Sequence, residues 1–246
     1  MKNQIFYGKF LSLLFVLFFV ASQIASAQES KAENHINGGV GYFMIGYSGL
    51  QISELNESFK SAGIPELSTG SISIGGGGHY IYKNFILGGE GHGLLGATSE
   101  NTDYKTSHSA GYGFFNLGYV VFQGKSINLY PILGFGGGGM TVSVTDKSKL
   151  TNSFDDILQD PARESYITSG GFLLNLSLGS DYFFAASKSD KYTGGFLVGI
   201  KAGYILNITS NDWCFNGNQL NNSPNTGLSG PYVRIVIGGG GIGISN

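Results

Sequence analysis

A carboxylate and an imidazole stand two positions apart in one glycine-rich segment, at Glu90 and His92. Residues two apart on a β-strand point to the same face, so the carboxylate could act as a base and the imidazole could orient it. Hydrolysis through a nucleophile would also need a serine within hydrogen-bond reach of the histidine. The sequence identifies no such serine. We therefore expect no enzyme activity, and a lipid-modifying enzyme remains the alternative.

Few other charged residues fall inside the long apolar segments. They are Lys201, Arg234 and, at the end of a segment, Asp181. Charged residues make up 12% of the chain, about half the usual share for a soluble domain, and nearly all the others lie in turns or loops. A sheet that faces lipid has this distribution, because a Lys or Arg at the bilayer midplane costs about 2–4 kcal/mol.

Apolar and glycine-rich runs of strand length recur along the whole chain. The predicted strands are Ile36–Tyr47, Ser71–Tyr82, Phe85–Ala97, Ser109–Phe122, Ile127–Val144, Tyr166–Phe184, Thr193–Leu206 and Tyr232–Ile244. Each can supply the roughly 9–11 residues that cross a membrane. Short turns at 83–84, 123–126 and 185–192 alternate with longer polar loops at 48–70, 98–108, 145–165 and 207–231. This pattern predicts an all-β fold, an eight-stranded antiparallel up-and-down transmembrane β-barrel with short periplasmic turns and longer extracellular loops.

Two of the long loops carry a helical pattern. Leu50, Leu55 and Phe59 predict a short amphipathic helix that ends at Gly63 and Pro65. A weaker pattern covers residues 155–158 before Pro161.

Strand alternation gives the polar residues a direction. With a two-residue turn at Lys83-Asn84, Gly77 lies opposite Glu90 and Gly75 opposite His92, and all four share one face. The same alternation predicts one lumen cluster, made of Glu90, His92, His79, Lys201, Arg234, Asn116, Asn175, Ser177 and Asp181. The interior of an eight-stranded barrel is just wide enough to be filled by side chains, and buried charges must pair. We expect Glu90 to pair with Lys201 and Arg234 and to plug the lumen; a narrow gated pore is the alternative.

The N-terminus has the pattern of a secretory signal peptide. Lys2 and Lys9 precede an apolar run at 10–20, and Ala25-Ser26-Ala27 fits a cleavage site. The predicted organisation is a signal peptide at 1–27, a short periplasmic segment at 28–35 and the barrel domain at 36–246.

Several site classes have no support in the sequence. The net charge of −2 does not indicate nucleic-acid binding, and the four histidines show no metal-ligand spacing. Two segments, 91–96 and 134–139, match G-x-G-x-x-G, but neither opens a helix, so a dinucleotide cofactor is not predicted. The glycines are instead expected to let strands bend and to make room for inward side chains.

A signal peptide, eight alternating strands, three short turns and four longer loops together resemble the small eight-stranded outer-membrane barrels of Gram-negative bacteria, of the OmpA-transmembrane-domain and OmpX type. The glycine-rich, aromatic composition is similar to such proteins of Bacteroidetes-like bacteria. The resemblance implies a monomer in outer-membrane lipid with a structural or surface-interaction role, through loops that contact an extracellular or host ligand. The chain departs from the family at its end, Gly243-Ile244-Ser245-Asn246, where such barrels usually have an aromatic residue.

Overall fold

Eight long antiparallel strands form a closed ring. The computed structural model describes residues 35–124, 126–161, 164–188, 193–209, 212–224 and 226–245. The strands are β1 (His35–Gly49), β2 (Gly70–Tyr82), β3 (Phe85–Gly96), β4 (Tyr104–Tyr119), β5 (Ile127–Asp146), β6 (Glu164–Lys188), β7 (Thr193–Asn207) and β8 (Gly230–Ser245). Each strand pairs with its neighbours in sequence, and β8 pairs with β1. The predicted fold class is confirmed. The predicted signal peptide and residues 28–34 lie outside the described residues, and His35, assigned to the periplasmic segment, already belongs to β1.

The turn between β2 and β3 sets the register that the sequence predicts. Lys83 and Asn84 both have positive φ, 49° and 69°, as a two-residue turn that matches the strand twist requires. Tyr82 then pairs with Phe85, and Gly77 pairs with Glu90. The predicted register is confirmed along the whole hairpin.

The outer face of the barrel is apolar. Exposed side chains on it include Phe43, Ile45, Ile72, Ile74, Leu87, Leu95, Phe115, Leu117, Phe172, Leu178, Val198, Ile200, Val233, Ile235 and Ile237. Aromatic residues collect beside the short turns, where the rings of Phe85 and Tyr119 lie 5.0 Å apart and Tyr80 and Tyr82 are also exposed. An apolar band with an aromatic rim is the surface that a transmembrane barrel presents to lipid. In the part of the chain that the structure describes, no helix combines the length and apolar character needed to cross a membrane.

At the end opposite the short turns, β4, β5 and β6 extend beyond the strands on either side of them. β4 begins at Tyr104, not at Ser109, so residues 104–108 of the predicted loop 98–108 belong to this strand. β5 and β6 stay paired up to Thr145 and Glu164, whereas β3 pairs with β4 only as far as Ser109 and β7 with β6 only as far as Leu173. We call residues 104–108, 141–146 and 164–172 the extracellular protrusion.

The prediction missed this protrusion for a physical reason. Beyond the lipid, polar residues on the outer face of a strand remain in water and cost nothing. Lys105 and Glu164 therefore lie in strands, although the sequence analysis took charged residues as a sign of loops. At the other end, β4 stops at Tyr119 and Phe122 belongs to a separate strand, Phe122–Gln123. β6 runs on to Lys188, so the last short turn is shorter than the predicted 185–192, and residues 189–192 lie outside the described part of the chain.

Both predicted loop helices are present. α1 (Ser53–Ser61) lies in the first extracellular loop, where Leu55 and Phe59 are buried, and the chain leaves it through Gly63 with φ of +72°. α2 (Phe154–Gln159) lies in the third loop, and the Ser153 side chain accepts a hydrogen bond from the Asp156 backbone N–H at its start.

Candidate functional site

The structure places the predicted lumen cluster inside the barrel, and eight of its nine residues are buried. None of these eight is more than 7% exposed: Glu90 and His92 on β3, His79 on β2, Asn116 on β4, Asn175 and Asp181 on β6, Lys201 on β7 and Arg234 on β8. Ser177, on β6, is half-buried. The strands bring these side chains inward because every one occupies an inward position of the pleat.

Glu90 is the centre of an ion-pair cluster. The Lys201 Nζ atom lies 2.5 Å from Glu90 Oε2, and Asn175 Nδ2 donates to Glu90 Oε1 at 3.3 Å. Arg234 Nη1 lies 3.7 Å from Oε1, and His92 Nε2 lies 3.8 Å from it. One carboxylate therefore contacts groups from β3, β6, β7 and β8, so the cluster spans the lumen.

Two tyrosines complete the cluster around Arg234. Tyr112 accepts a hydrogen bond from Arg234 Nη2, and the guanidinium carbon lies 3.6 Å from the centre of the Tyr232 ring. The Tyr232 hydroxyl donates to Asn175 Oδ1 at 2.9 Å. The prediction omitted both tyrosines because they look apolar, although Tyr232 lies two residues from Arg234 and Tyr112 four residues from Asn116, each on the same strand face as that lumen residue.

Inner glycines give this cluster its space. A Cβ atom at Gly77 would lie 2.9 Å from the Cα and Cβ atoms of Glu90, and one at Gly75 would lie 2.8 Å from the Cγ atom of His92. Contacts this short would push the charged side chains out of position.

The remaining predicted residues lie outside the central cluster. The Tyr130 hydroxyl donates to Asp181 Oδ2 at 2.6 Å, and the His79 ring lies 5.9 Å from the Tyr130 ring. The amide of Asn116 makes no hydrogen bond within the described residues. His79, Tyr130 and Asp181 line a cavity of about 20 Å³ near the periplasmic end, which is room for a single water molecule.

The charges of the lumen balance. Two carboxylates, Glu90 and Asp181, face two cations, Lys201 and Arg234, among the buried residues. Within the described ranges, no group of three or more His, Cys, Asp or Glu side chains could hold a metal ion.

The extracellular loops close the barrel above this cluster. Leu55 and Phe59 of α1 pack with Trp213 and Leu228 of the fourth loop, in one buried cluster with the lumen residue Leu94. Asn56 fastens α1 to the following loop, since its amide both donates to and accepts from the Leu67 backbone at 2.9 Å. Trp213 is 1% exposed. The outer mouth of the barrel is therefore covered by an apolar cap.

A serine–histidine pair lies in the upper lumen, where the sequence pattern did not predict one. Ser71 Oγ and His108 Nε2 are 3.0 Å apart, and both residues are buried. The sequence pattern places His108 in a loop, so strand alternation does not predict its inward direction. Its Nδ1 atom has no hydrogen-bond partner in the described part of the chain, so the third group that would orient a catalytic imidazole is missing there.

The extracellular protrusion is tied together by a carboxylate. Glu164 on β6 accepts hydrogen bonds from the Ser143 hydroxyl on β5 and from the Tyr166 hydroxyl, the latter at 2.5 Å. These two hydrogen bonds, of which the one from Ser143 has the larger effect, hold the pKa of the Glu164 carboxyl below its usual range. The bond to Glu164 raises the pKa of the Tyr166 hydroxyl.

Comparison with known proteins adds only distant likenesses. No family model matches the chain, and no curated protein matches its sequence. Among solved structures, Ail, the attachment invasion locus protein of Yersinia pestis, has 8% identity and a TM-score of 0.42, over 85% of this chain and 99% of that one. The translocator domain of the autotransporter NalP from Neisseria meningitidis has 8% identity and a TM-score of 0.31, over 93% and 96%. The outer membrane protease OmpT from Escherichia coli has 9% identity and a TM-score of 0.22, over 88% and 99%.

The molecule's own surface determines its location. Its strands close into a ring without free edges, as a sheet must in lipid, and the outward side chains form an apolar band. Antiparallel barrels of this kind cross the bacterial outer membrane. The protein is a barrel of that membrane, and its outer face contacts the lipid.

Proposed function

We propose that this protein is a closed, monomeric barrel that acts at the cell surface through its extracellular loops, in attachment or contact with an extracellular or host ligand. The observation that carries the proposal is the ion-pair cluster of Glu90, Lys201 and Arg234, which fills the lumen. With the interior occupied, the loops and the protrusion are the surface left for other molecules to bind.

The same ion-pair cluster argues against the alternative that the barrel is a gated pore. A solute would have to separate Lys201 from Glu90, and breaking a buried ion pair costs about 3–5 kcal/mol. The apolar cap, to which α1 contributes Leu55 and Phe59, would also have to move, since it covers the outer mouth.

The burial of the candidate catalytic groups argues against the alternative that the protein is an enzyme. The Ser71–His108 pair lies under the cap, with 2% and 3% of each residue exposed, so a lipid carbonyl has no open route to the hydroxyl. His92 contacts Glu90 and Arg234, and neither group is a hydroxyl, thiol or amine that the imidazole could deprotonate to form a nucleophile.

Two measurements test the proposal. Purified protein in planar lipid bilayers should give no steady conductance, and stepwise ion currents would contradict a closed lumen. Cells that display the protein should adhere to surfaces or to other cells more than cells without it. A variant with residues 150–160 replaced by a short Gly-Ser linker should lose adhesion at equal membrane level, and unchanged adhesion after trimming all four loops would refute a loop-based role.

A further inference from the structure

A small cavity with a polar floor lies near the periplasmic end of the lumen. His79, Tyr130 and Asp181 contribute its polar side chains, together with Asn128. The other lining residues are apolar: Val40, Ile81, Val120, Phe183 and Leu197. The cavity measures about 20 Å³, so its occupant has about the size of one water molecule.

Asp181 is a buried carboxylate of this cavity without a partner of opposite charge. It is 7% exposed, and its Oδ1 atom has no hydrogen-bond partner in the described part of the chain. The two buried cations of the lumen, Lys201 and Arg234, both lie against Glu90. Among the described residues, no ion pair includes Asp181. The lumen charges balance in total, but a buried charge needs a partner in contact with it.

The other polar groups of the cavity are hydrogen-bond acceptors. The Tyr130 hydroxyl already donates its proton to Asp181 Oδ2, so its remaining capacity is the lone pairs of its oxygen. His79 is 7% exposed, and its Nδ1 atom has no hydrogen-bond partner within the described ranges. In the tautomer that carries the proton on Nε2, this nitrogen is also an acceptor. An occupant that suits all three groups must therefore donate several hydrogen bonds.

The strands on either side of Asp181 leave space for such an occupant. Asp181 lies between Asn128 on β5 and Gly199 on β7 in the strand register. A Cβ atom at Gly199 would collide with Asp181 Oδ1, so a larger residue there would displace the carboxylate. Asn128 is half-buried and is the second residue of β5. It therefore lies at the periplasmic side of the cavity, from which a small ion can enter.

We propose that this cavity binds one ammonium ion. Ammonium has nearly the size of a water molecule, carries the positive charge that Asp181 needs, and donates more hydrogen bonds than water does. Hard alkali cations prefer oxygen ligands and would leave the imidazole nitrogen of His79 unused. The site lies at the opposite end of the barrel from the extracellular loops, so this inference is independent of the proposed surface role.

The direct test uses the purified barrel in detergent micelles with nitrogen-15-labelled ammonium chloride. NMR should show a bound ammonium signal, distinct from that of the free ion, with a nuclear Overhauser effect to the ring protons of His79 or Tyr130. The bound signal should disappear in Asp181→Asn, which keeps the shape of the side chain and removes its charge. Asp103→Asn is the matched control, because Asp103 is an exposed aspartate at the extracellular end, and it should bind ammonium like wild type.

The stability of the barrel gives a second readout. A ligand that binds only the folded state stabilises it by mass action. At constant ionic strength, ammonium chloride should therefore raise the temperature of the heat-dependent gel shift more than sodium or potassium chloride does. Asp181→Asn should lose this difference. Tyr130→Phe keeps the carboxylate and removes one acceptor, so it should need more ammonium for the same shift.

Three results would overturn the inference. The first is a wild-type barrel without a bound ammonium signal, in which case the cavity holds a water molecule only or a proton on His79 neutralises Asp181. The second is an Asp181→Asn variant that binds ammonium like wild type. The third is protection by sodium or potassium chloride that equals protection by ammonium chloride. None of these results bears on the extracellular loops, whose role is tested by adhesion.

Discussion

Replacing Glu90 with glutamine should destabilise the barrel by about 3–5 kcal/mol, the usual cost of removing one partner of a buried ion pair. Lys201 Nζ lies 2.5 Å from the carboxylate, and at an effective dielectric constant of about 20 this distance corresponds to roughly 7 kcal/mol of attraction. Desolvation of both ions offsets most of that attraction. The large effect arises because Lys201 and Arg234 remain buried after the carboxylate has lost its charge.

Glutamine is the sharpest substitution because it keeps the shape of the side chain. Its amide oxygen can still accept the hydrogen bond from Asn175, so the lost quantity is mainly charge. The free energy of unfolding would be measured by urea titration of the barrel in phospholipid vesicles, with far-UV circular dichroism as the signal. The denaturant dependence should be unchanged, which shows that the same surface is exposed on unfolding.

A surface pair supplies the control. Glu100 lies 3.6 Å from Lys147, and its side chain is 61% exposed. Glu100→Gln should cost less than about 1 kcal/mol, as exposed pairs do. The reasoning is refuted if Glu90→Gln costs no more than Glu100→Gln. Adding Lys201→Met to Glu90→Gln should recover part of the loss, because one unpaired cation is then removed.

Three further predictions concern other parts of the barrel. Gly77→Ala should destabilise the barrel by about 1–3 kcal/mol through overpacking, whereas Gly41→Ala, whose Cβ meets nothing within 4 Å, should be neutral in the same unfolding assay. A fluorophosphonate probe should not label Ser71 in the folded barrel, and labelling that Ser71→Ala abolishes would revive the enzyme alternative. The Glu164 carboxyl should titrate with a midpoint below its ordinary pKa of 4.5, and carbon NMR can follow this titration. The stabilisation from its two hydrogen bonds is therefore complete above that ordinary value and is lost as the pH falls through the lower folded one. Tyr166→Phe should raise the midpoint, and an unchanged midpoint would contradict the assigned bond.

The strand pattern and the lumen direction could be read from the sequence because both are local properties. Alternation has a period of two, so one exposed apolar neighbour is enough to point Lys201 or Arg234 inward. The two-residue turn at Lys83-Asn84 also sets the register of Glu90 without knowledge of any other strand.

The rest of the site needed contacts between distant segments. Lys201 and Glu90 are 111 positions apart, and they meet because eight strands close with one particular stagger. The Ser71–His108 pair and the cap that holds Trp213 depend on the same closure. Alternation also failed where lipid no longer constrains the strands, which is why the start of β4 at Tyr104 was missed.

By itself, the sequence determined that this chain is a lipid-facing barrel and that the charged residues of its membrane-spanning segments point inward, because burial in lipid imposes a rule on every second residue. Only the tertiary structure decided which of those side chains meet. Ring closure sets the level of each residue in the lumen, so Glu90 contacts Lys201 and Arg234 while Asp181 pairs with Tyr130 nearer the periplasmic end.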